Sequence, residues 1–464
     1  MADPKHIPAG FRRKLRDELA LWRAEGLVAP DQADALAARY RLADLAKESS
    51  STLLLSLYIV GALLVAGGVV SFVAANWDGL PAAPKVALIV LAMLACHGGG
   101  FYLWKVRATH PWLGHALIVL GTLVFGANLG LMAQIFNVHA NVYNGVAAWA
   151  VGAMAVAYAV GSVPNAFIAV VLSFVWLCGA EGPSDWIAHI DWISVYYPLV
   201  AAAVFIPFAY RRRSAVITAM ALAVIALGMM MGVWHGRGPD WLIIVLAAVG
   251  SGSLYVAAGL LAIRREALRR VGVAAAIVGV IVMGLGAYSL SFLDVVYELR
   301  DSGLGPFGSL WFVSAGVAAV ASIPLWVVYA LGWRRTGPLR PLGLGLLAAV
   351  LLMAAASGLG LLVPRANSVE CPTPVDIAVA VLANAAVLAM AAGLLTGAMA
   401  SVDRRLFWPG VLLLVLLVVS RFFEYESNLM WKAAAFLACG LGIIGGGLKF
   451  ESYLRRRRSA DEQP

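Results

Sequence analysis

Few residues in this chain are of a type that carries chemistry, and most of those few lie inside or at the ends of long apolar blocks. His97 interrupts one block, His115 and Asn128 share the next, and Asn384 lies in a later one. A neutral imidazole or amide in such a setting can join two helices through a hydrogen bond or touch a polar solute, whereas an ionisable group there costs several kcal/mol. No Asp, Glu, Lys or Arg sits at the centre of the first twelve blocks, which argues against a proton-coupled pump built on a central carboxylate. Helix-to-helix hydrogen bonding is the expected role of each neutral group, and a substrate contact is the sharper alternative. Asn128 stands out because it lies between Gly126 and Gly130, where a helix can approach closely or open.

Two further groups stand at block ends. Arg421 and Glu424 are three residues apart, one turn on a helix, after a block of only about 15 apolar residues. Extending that block to the roughly 20 residues of a crossing draws both side chains into the membrane edge, where paired charges cost less than single ones. The pair would either lock two helices or meet a substrate or lipid headgroup. Asn76, Trp77 and Asp78 close the first block, as a helix end with an interfacial tryptophan or as a third polar site. His139, His189 and His235 lie near Asp185, Asp191 and Asp240 but without metal-ligand spacing, so no metal site is assigned. The chain contains no H-E-x-x-H, Walker lysine or G-x-S-x-G. Its two G-x-G-x-x-G strings, at Gly303 and at Gly440, follow no strand and are products of 47 glycines. No catalytic residue and no cofactor is therefore assigned.

The apolar blocks themselves set the fold class. Apolar residues make up 62% of the 464 and charged ones 13%, with a mean hydropathy of +0.86. Blocks of about 20 apolar residues are long enough for a helix to cross about 30 Å of hydrocarbon, and no alternating barrel pattern appears. The expectation is an all-α, polytopic integral membrane bundle of about fourteen helices. Spans are placed at Thr52 to Ala75, Val86 to Trp104, Trp112 to Ala133, Asn144 to Gly161, Asn165 to Ala180, Trp192 to Tyr210 and Ser214 to Trp234. They continue at Trp241 to Ile263, Val271 to Phe292, Gly308 to Trp333, Pro341 to Val363, Ile377 to Ala400, Leu406 to Ser420 and Met430 to Leu448. Only Gly161 to Pro164 separates the fourth from the fifth, and loss of that turn would invert everything after it.

With the N-terminus inside, the inward connections and the C-terminal tail hold 19 basic residues and the outward ones 6, which predicts both ends in the cytoplasm. The net charge of +9 is thus explained by topology and by contact with anionic lipid headgroups, not by nucleic acid. The first block is too long and too late to be a cleavable signal and reads as the first span. Glycines at Gly126 and Gly130, and at Gly442 and Gly446, have the spacing that lets helices pack closely.

Residues 1–50 precede the transmembrane domain, residues 51–449, and a basic tail of residues 450–464 follows it. In the first segment Leu15, Leu19 and Trp22 fall at helical spacing, Gly26 reads as a stop, Pro30 as a first-turn residue, and Leu36 and Tyr40 start a second stripe. This is a helical hairpin, either ordering the entry to the first span or docking a cytoplasmic protein. The hairpin residues Trp22, Glu25, Gly26, Leu27, Ala33 and Leu36, then a span with Gly61, Gly67 and Gly68 ending in Ala75, Asn76, Trp77 and Asp78, resemble a family of predicted bacterial membrane proteins classified as a domain of unknown function. The Ser420 to Glu424 stretch before a glycine-rich last span and an arginine tail is similar to the C-terminal end of such proteins. The resemblance implies a bacterial inner-membrane location and brings no activity. The leading expectation is a transporter or lipid-handling protein, because so little of the chain lies outside the spans. The runner-up is a scaffold or regulator acting through the hairpin, and the third is a membrane-embedded enzyme.

Overall fold

The computed structural model describes residues 9–40, 42, 81–108, 111–137, 142–179, 191–235, 245–296, 308–332, 337–362, 373–401 and 403–424, with isolated positions near the C-terminus. The expected first span, with Asn76, Trp77 and Asp78, and most of the expected last span lie outside these residues. The described part is all-helical, with no strand. The chain divides into two compact units, Met1–Leu88 and Ile89–Pro464.

The first unit contains the hairpin. Helix α1, Ala9–Ala24, ends where Gly26 adopts φ +72° and the Leu27 N–H reaches back to the Trp22 carbonyl, the left-handed stop that glycine permits. Helix α2, Pro30–Arg39, begins with its proline, whose missing N–H has no helical partner to lose. Leu19, Ala33 and Leu42 form a small core with Trp22, Val28, Leu36 and Tyr40 around it, while Leu21 and Leu27 are exposed.

In the rest of the chain a helix falls on each segment expected to span between Val86 and Ser420. These are α3 (Ala82–Phe101, continuing as a π-helical turn Tyr102–Val106), α4 (Pro111–Ile135), α5 (Val142–Val160), α6 (Val163–Gly179), α7 (Asp191–Arg212) and α8 (Ala215–His235). They continue as α9 (Ser251–Ile263, led in by π-helical Val245–Gly250), α10 (Arg269–Ser289), α11 (Gly308–Leu331), α12 (Arg340–Leu362), α13 (Pro374–Ser401) and α14 (Arg404–Glu424). Among the described residues six helices are long and apolar enough to cross a membrane, those of α3, α4, α5, α10, α12 and α13. The apolar stretches Val163–Gly179, Ala215–Met230, Ala247–Ile263 and Ala315–Leu331, which belong to α6, α8, α9 with its lead-in and α11, are shorter.

The turn on which the later alternation depends is a genuine reversal. Gly161 has φ +71°, the Ser162 N–H bonds the Ala157 carbonyl, and Ser162 Oγ accepts the Asn165 N–H at 3.5 Å, so one helix is stopped and the next capped within two residues. Arg213 and Ser214 repeat the device between α7 and α8, with φ +49° and a Ser214 Oγ to Ile217 N–H bond of 3.3 Å.

Two apolar cores follow. One joins α5 to α8 with Tyr255, Ala275, Val278, Ala315 and Ala318 of α9, α10 and α11; the other joins α9 to α14. Among the described residues large apolar side chains also face outward: Ile277, Ile281 and Leu285 form a stripe along α10 and are 54–58% exposed. Water would penalise such a surface and hydrocarbon would not, which is the signature of a lipid-facing helix. This is a membrane protein with several apolar helices. Between helices the closest approaches use glycine. Gly130 meets open space and Gly126 faces the Trp149 indole, so the expected Gly126 and Gly130 pair is not a joint helix contact. Gly446 lies outside the described residues. The tight seams are Gly252 and Gly259 against Gly272 and Gly279, Gly100 against Gly114, and Gly345 against Gly393.

Candidate functional site

Three of the polar residues singled out in sequence meet at one place. Helix α10 ends at Ser289, and the chain tightens into a turn in which the Ser291 N–H bonds the Tyr288 carbonyl. This leaves the Ser291 carbonyl, in a residue 1% exposed, without a helical partner. Arg421 of α14 supplies one, donating from Nη1 at 2.8 Å, while its Nη2 donates to Ser291 Oγ at 2.9 Å. Asn384 of α13 supplies the second, donating from Nδ2 at 3.0 Å and from the same nitrogen to its own helix at the Ala380 carbonyl, 2.8 Å. Both lone pairs of one carbonyl are thus filled from two other helices.

Glu424 completes the cluster. Its Oε2 pairs with Arg421 Nη1, and its Oε1 accepts the Leu293 N–H at 2.9 Å. The Glu424 side chain is 6% exposed and that of Arg421 20%. The guanidinium lies 4.4 Å over the Phe292 ring, and its Nε has no partner. The cation also stands at the C-terminal ends of α10 and α14, where the helix dipoles favour positive charge. With each carboxylate oxygen already accepting a donor, Glu424 is held as a counter-ion and is poorly placed to accept a substrate proton. The arrangement joins α10, α13 and α14 at one end.

The remaining candidates lie elsewhere. Asn128 of α4 is 6% exposed and donates from Nδ2 to the Ile89 carbonyl of α3 at 3.2 Å, leaving Oδ1 unpartnered. His97 Nδ1 stands 3.1 Å from the Met93 carbonyl of its own helix, with Nε2 buried and unpartnered. His115 stacks on Trp104, with centroids 4.4 Å apart, and its Nε2 lies 2.8 Å from Ser162 Oγ. The structure therefore brings Asn384, Arg421 and Glu424 together and keeps Asn128, His97 and His115 apart from them.

Sequence reasoning did not single out Ser291, because a serine near a helix end carries no distinctive signal. It also passed over Asp376, 2% exposed, although Thr373-Pro374-Val375-Asp376 is a capping box written in the sequence. Thr373 donates to Asp376 Oδ2 from both its N–H and its hydroxyl, at 2.7 Å each, and its own Oγ1 accepts the Asp376 N–H at 3.4 Å. Thr373→Ala removes the hydroxyl from both bonds and should lower stability by about 1–2 kcal/mol, read as a downward shift in thermal unfolding of the detergent-solubilised protein. The chain Trp326 Nε1 to Ser253 Oγ (2.9 Å) to Ser322 Oγ (3.1 Å), which ties α9 to α11, was likewise without a sequence signal.

No curated protein and no solved structure matches the chain. One family model does, over the stretch from the second half of α1 to the start of α6. Residues 20–165 match the family described as "Predicted membrane protein (DUF2157)", a domain of unknown function, in agreement with the resemblance carried by the hairpin and the first span.

Proposed function

We propose that this chain is a bacterial inner-membrane protein crossing the bilayer about fourteen times with both ends in the cytoplasm, and that it serves as a scaffold or regulator through its N-terminal hairpin. The observation that carries the reading is where the polar side chains of the spans direct their hydrogen bonds. Asn384 donates to Ser291 and Ala380 carbonyls and Asn128 to the Ile89 carbonyl, so the two amides best placed for a solute path are engaged with backbone. The hairpin, with its own small core and exposed Leu21 and Leu27, is the part equipped to meet another protein. The topology draws support from which residues meet. Lys105 lies on the Trp104 ring that stacks on His115, His115 bonds Ser162, and Arg212 stands beside Gly161, while Asn384 and Arg421 meet on the Ser291 carbonyl; the alternation of spans puts the first set inside and the second outside.

Single cysteines in an otherwise cysteine-free chain test both parts. Asn128→Cys and Asn384→Cys should stay inert to small polar thiol reagents. Gly303→Cys should react from outside intact cells, and Ala108→Cys only after lysis. Labelling at either asparagine position would reveal a water path and return transport to first place; reversed labelling of the loops would refute the orientation. Lipid handling is the second reading, favoured by the cations Lys105, Arg107 and Arg211 to Arg213 at helix ends in stretches that hold no acidic residue.

A further inference from the structure

The part of the hairpin around its turn is an acidic island in a basic chain. From Asp17 to Ala38 the sequence holds five carboxylates, Asp17, Glu18, Glu25, Asp31 and Asp34, against one cation, Arg23, while the whole chain carries +9. Three of the five surround one leucine. On a helix surface the neighbours of a residue are those three and four positions away, so Leu21 of α1 lies among Asp17, Glu18 and Glu25. The Glu25 N–H still bonds the Leu21 carbonyl at 2.9 Å, which keeps Glu25 on the helical spiral just past the end of α1. All four residues are exposed, Leu21 at 55%. Leu27, 69% exposed, belongs to the same end: its N–H bonds the Trp22 carbonyl at 2.9 Å, which folds the chain back onto the last turn of α1.

Neither leucine belongs to the hairpin core of Leu19, Ala33 and Leu42. Their apolar surface is left for a partner to bury, and the carboxylates around it give the anatomy of a docking surface, an apolar centre with a polar rim. Asp17 is bonded to Arg16 at 2.9 Å and Asp34 stands 3.7 Å from Arg23, both pairs in the open; among the described residues Glu18 and Glu25 pair with no cation. The anionic cytoplasmic leaflet repels such a face, and a second copy of it would set carboxylate against carboxylate. The chain's own Arg455 to Arg458 are taken up by the membrane surface. A protein segment of the opposite sign is the occupant that suits both the charge and the leucines.

We propose that the Leu21 face of the hairpin docks a basic amphipathic helix of a separate cytoplasmic protein, with apolar side chains of that helix on Leu21 and Leu27 and its lysines and arginines against Asp17, Glu18 and Glu25. The partner's signature is a set of apolar residues at i, i+3 or i+4, and i+7, flanked by Lys or Arg. The inference rests on the reading of the hairpin as the acting part of a scaffold, and adds to it the sign and the shape of what is bound. Because the charges on both sides are exposed, added salt should slow the association.

The test is photo-crosslinking in growing cells, with the full-length chain carrying a photo-reactive amino acid in place of Ala24, one turn from Leu21, or, as a control, in place of Ala35 on α2; both positions are exposed. The crosslinked peptide is sequenced by mass spectrometry. Position 24 should yield a segment of another protein with net positive charge and apolar residues at helical spacing, and position 35 should not. Leu21→Ser with Leu27→Ser, and separately Glu18→Gln with Glu25→Gln, should each lower that yield about tenfold. Glu18→Lys with Glu25→Lys should abolish it, and changing the partner's basic residues to glutamate should restore it. All four side chains lie outside the hairpin core, so these variants keep the fold. A neutral or acidic protein segment, or a yield indifferent to the substitutions, would overturn the proposal and leave the scaffold reading standing. Products at position 24 confined to lipid, to a second copy of the hairpin or to this chain's Arg455 to Arg458 would overturn it as well. The absence of any other protein at both positions would overturn the scaffold reading with it.

Discussion

Glu424→Ala is expected to lower the stability of the folded protein by about 3–5 kcal/mol, the cost of breaking a buried ion pair from one side. The carboxylate touches two things that cannot easily be re-partnered, the Arg421 guanidinium and the Leu293 N–H. With it gone, a cation at the membrane edge keeps only the hydroxyl and carbonyl of Ser291 and the face of Phe292. Since the Arg421 side chain is one-fifth exposed, water offsets part of the loss, and the lower end of the range is expected. Arg421→Met should cost less, because the carboxylate it leaves still accepts the Leu293 N–H and the methionine still covers the Phe292 ring. The double variant should cost less than the sum of the two, by about 0.5–3 kcal/mol. Arg421→Lys should behave as a loss variant, since an ammonium cannot present a planar fork to Ser291 Oγ, the Ser291 carbonyl and Glu424 together. The measurement is a double-mutant cycle on thermal unfolding in detergent. Additive effects would show that the pair is not coupled and that the three-helix junction is held by packing alone.

This junction also marks how far the sequence could be read. That Arg421 and Glu424 face one another follows from their spacing on a helix, and that Asn384 would bond to another helix follows from an amide in an apolar block. Their convergence on the Ser291 carbonyl does not follow from either. It depends on where α10 stops, and a helix end between Ser289 and Phe292 has no proline, no glycine and no charged cap to announce it. The hairpin was legible for the opposite reason: Gly26 and Pro30 are strong local signals, and they act where expected. The Gly161–Pro164 turn was legible for the same reason, since a left-handed residue followed by a capping serine is local chemistry. The positions of the helices were legible because hydrophobic length is nearly a one-dimensional property. Which glycines touch was not legible, because in a chain with 47 of them the contact depends on helix rotation, which an apolar sequence encodes weakly.

That last difficulty makes the glycine seam between α9 and α10 the sharpest remaining test. Lipid tails are as apolar as leucine, so no hydrophobic force draws two helices together inside a bilayer; close backbone packing has to do it. A Cβ at Gly259 would lie 2.6 Å from the Ala276 nitrogen and 2.7 Å from the Gly272 oxygen; one at Gly279 would lie 2.7 Å from the Val256 nitrogen. Every one of these neighbours is backbone, so no side chain can swing aside and the helices themselves have to part. Parting them loosens Val256, Leu260 and Met283, all nearly or fully buried. Gly259→Ala should therefore cost about 3 kcal/mol, at the upper end of what an added methyl does in a packed core, and Gly259→Leu should prevent folding. Gly316 of α11 has open space where its Cβ would go, so Gly316→Ala should be neutral or stabilise by up to about 1 kcal/mol through helix propensity. Thermal unfolding of the two alanine variants, side by side in one detergent, decides the matter: equal stabilities would mean that α9 and α10 do not touch through these glycines. A large gap would fix the rotation of both helices and, with it, the direction in which α10 delivers the turn that carries Ser291 toward Arg421.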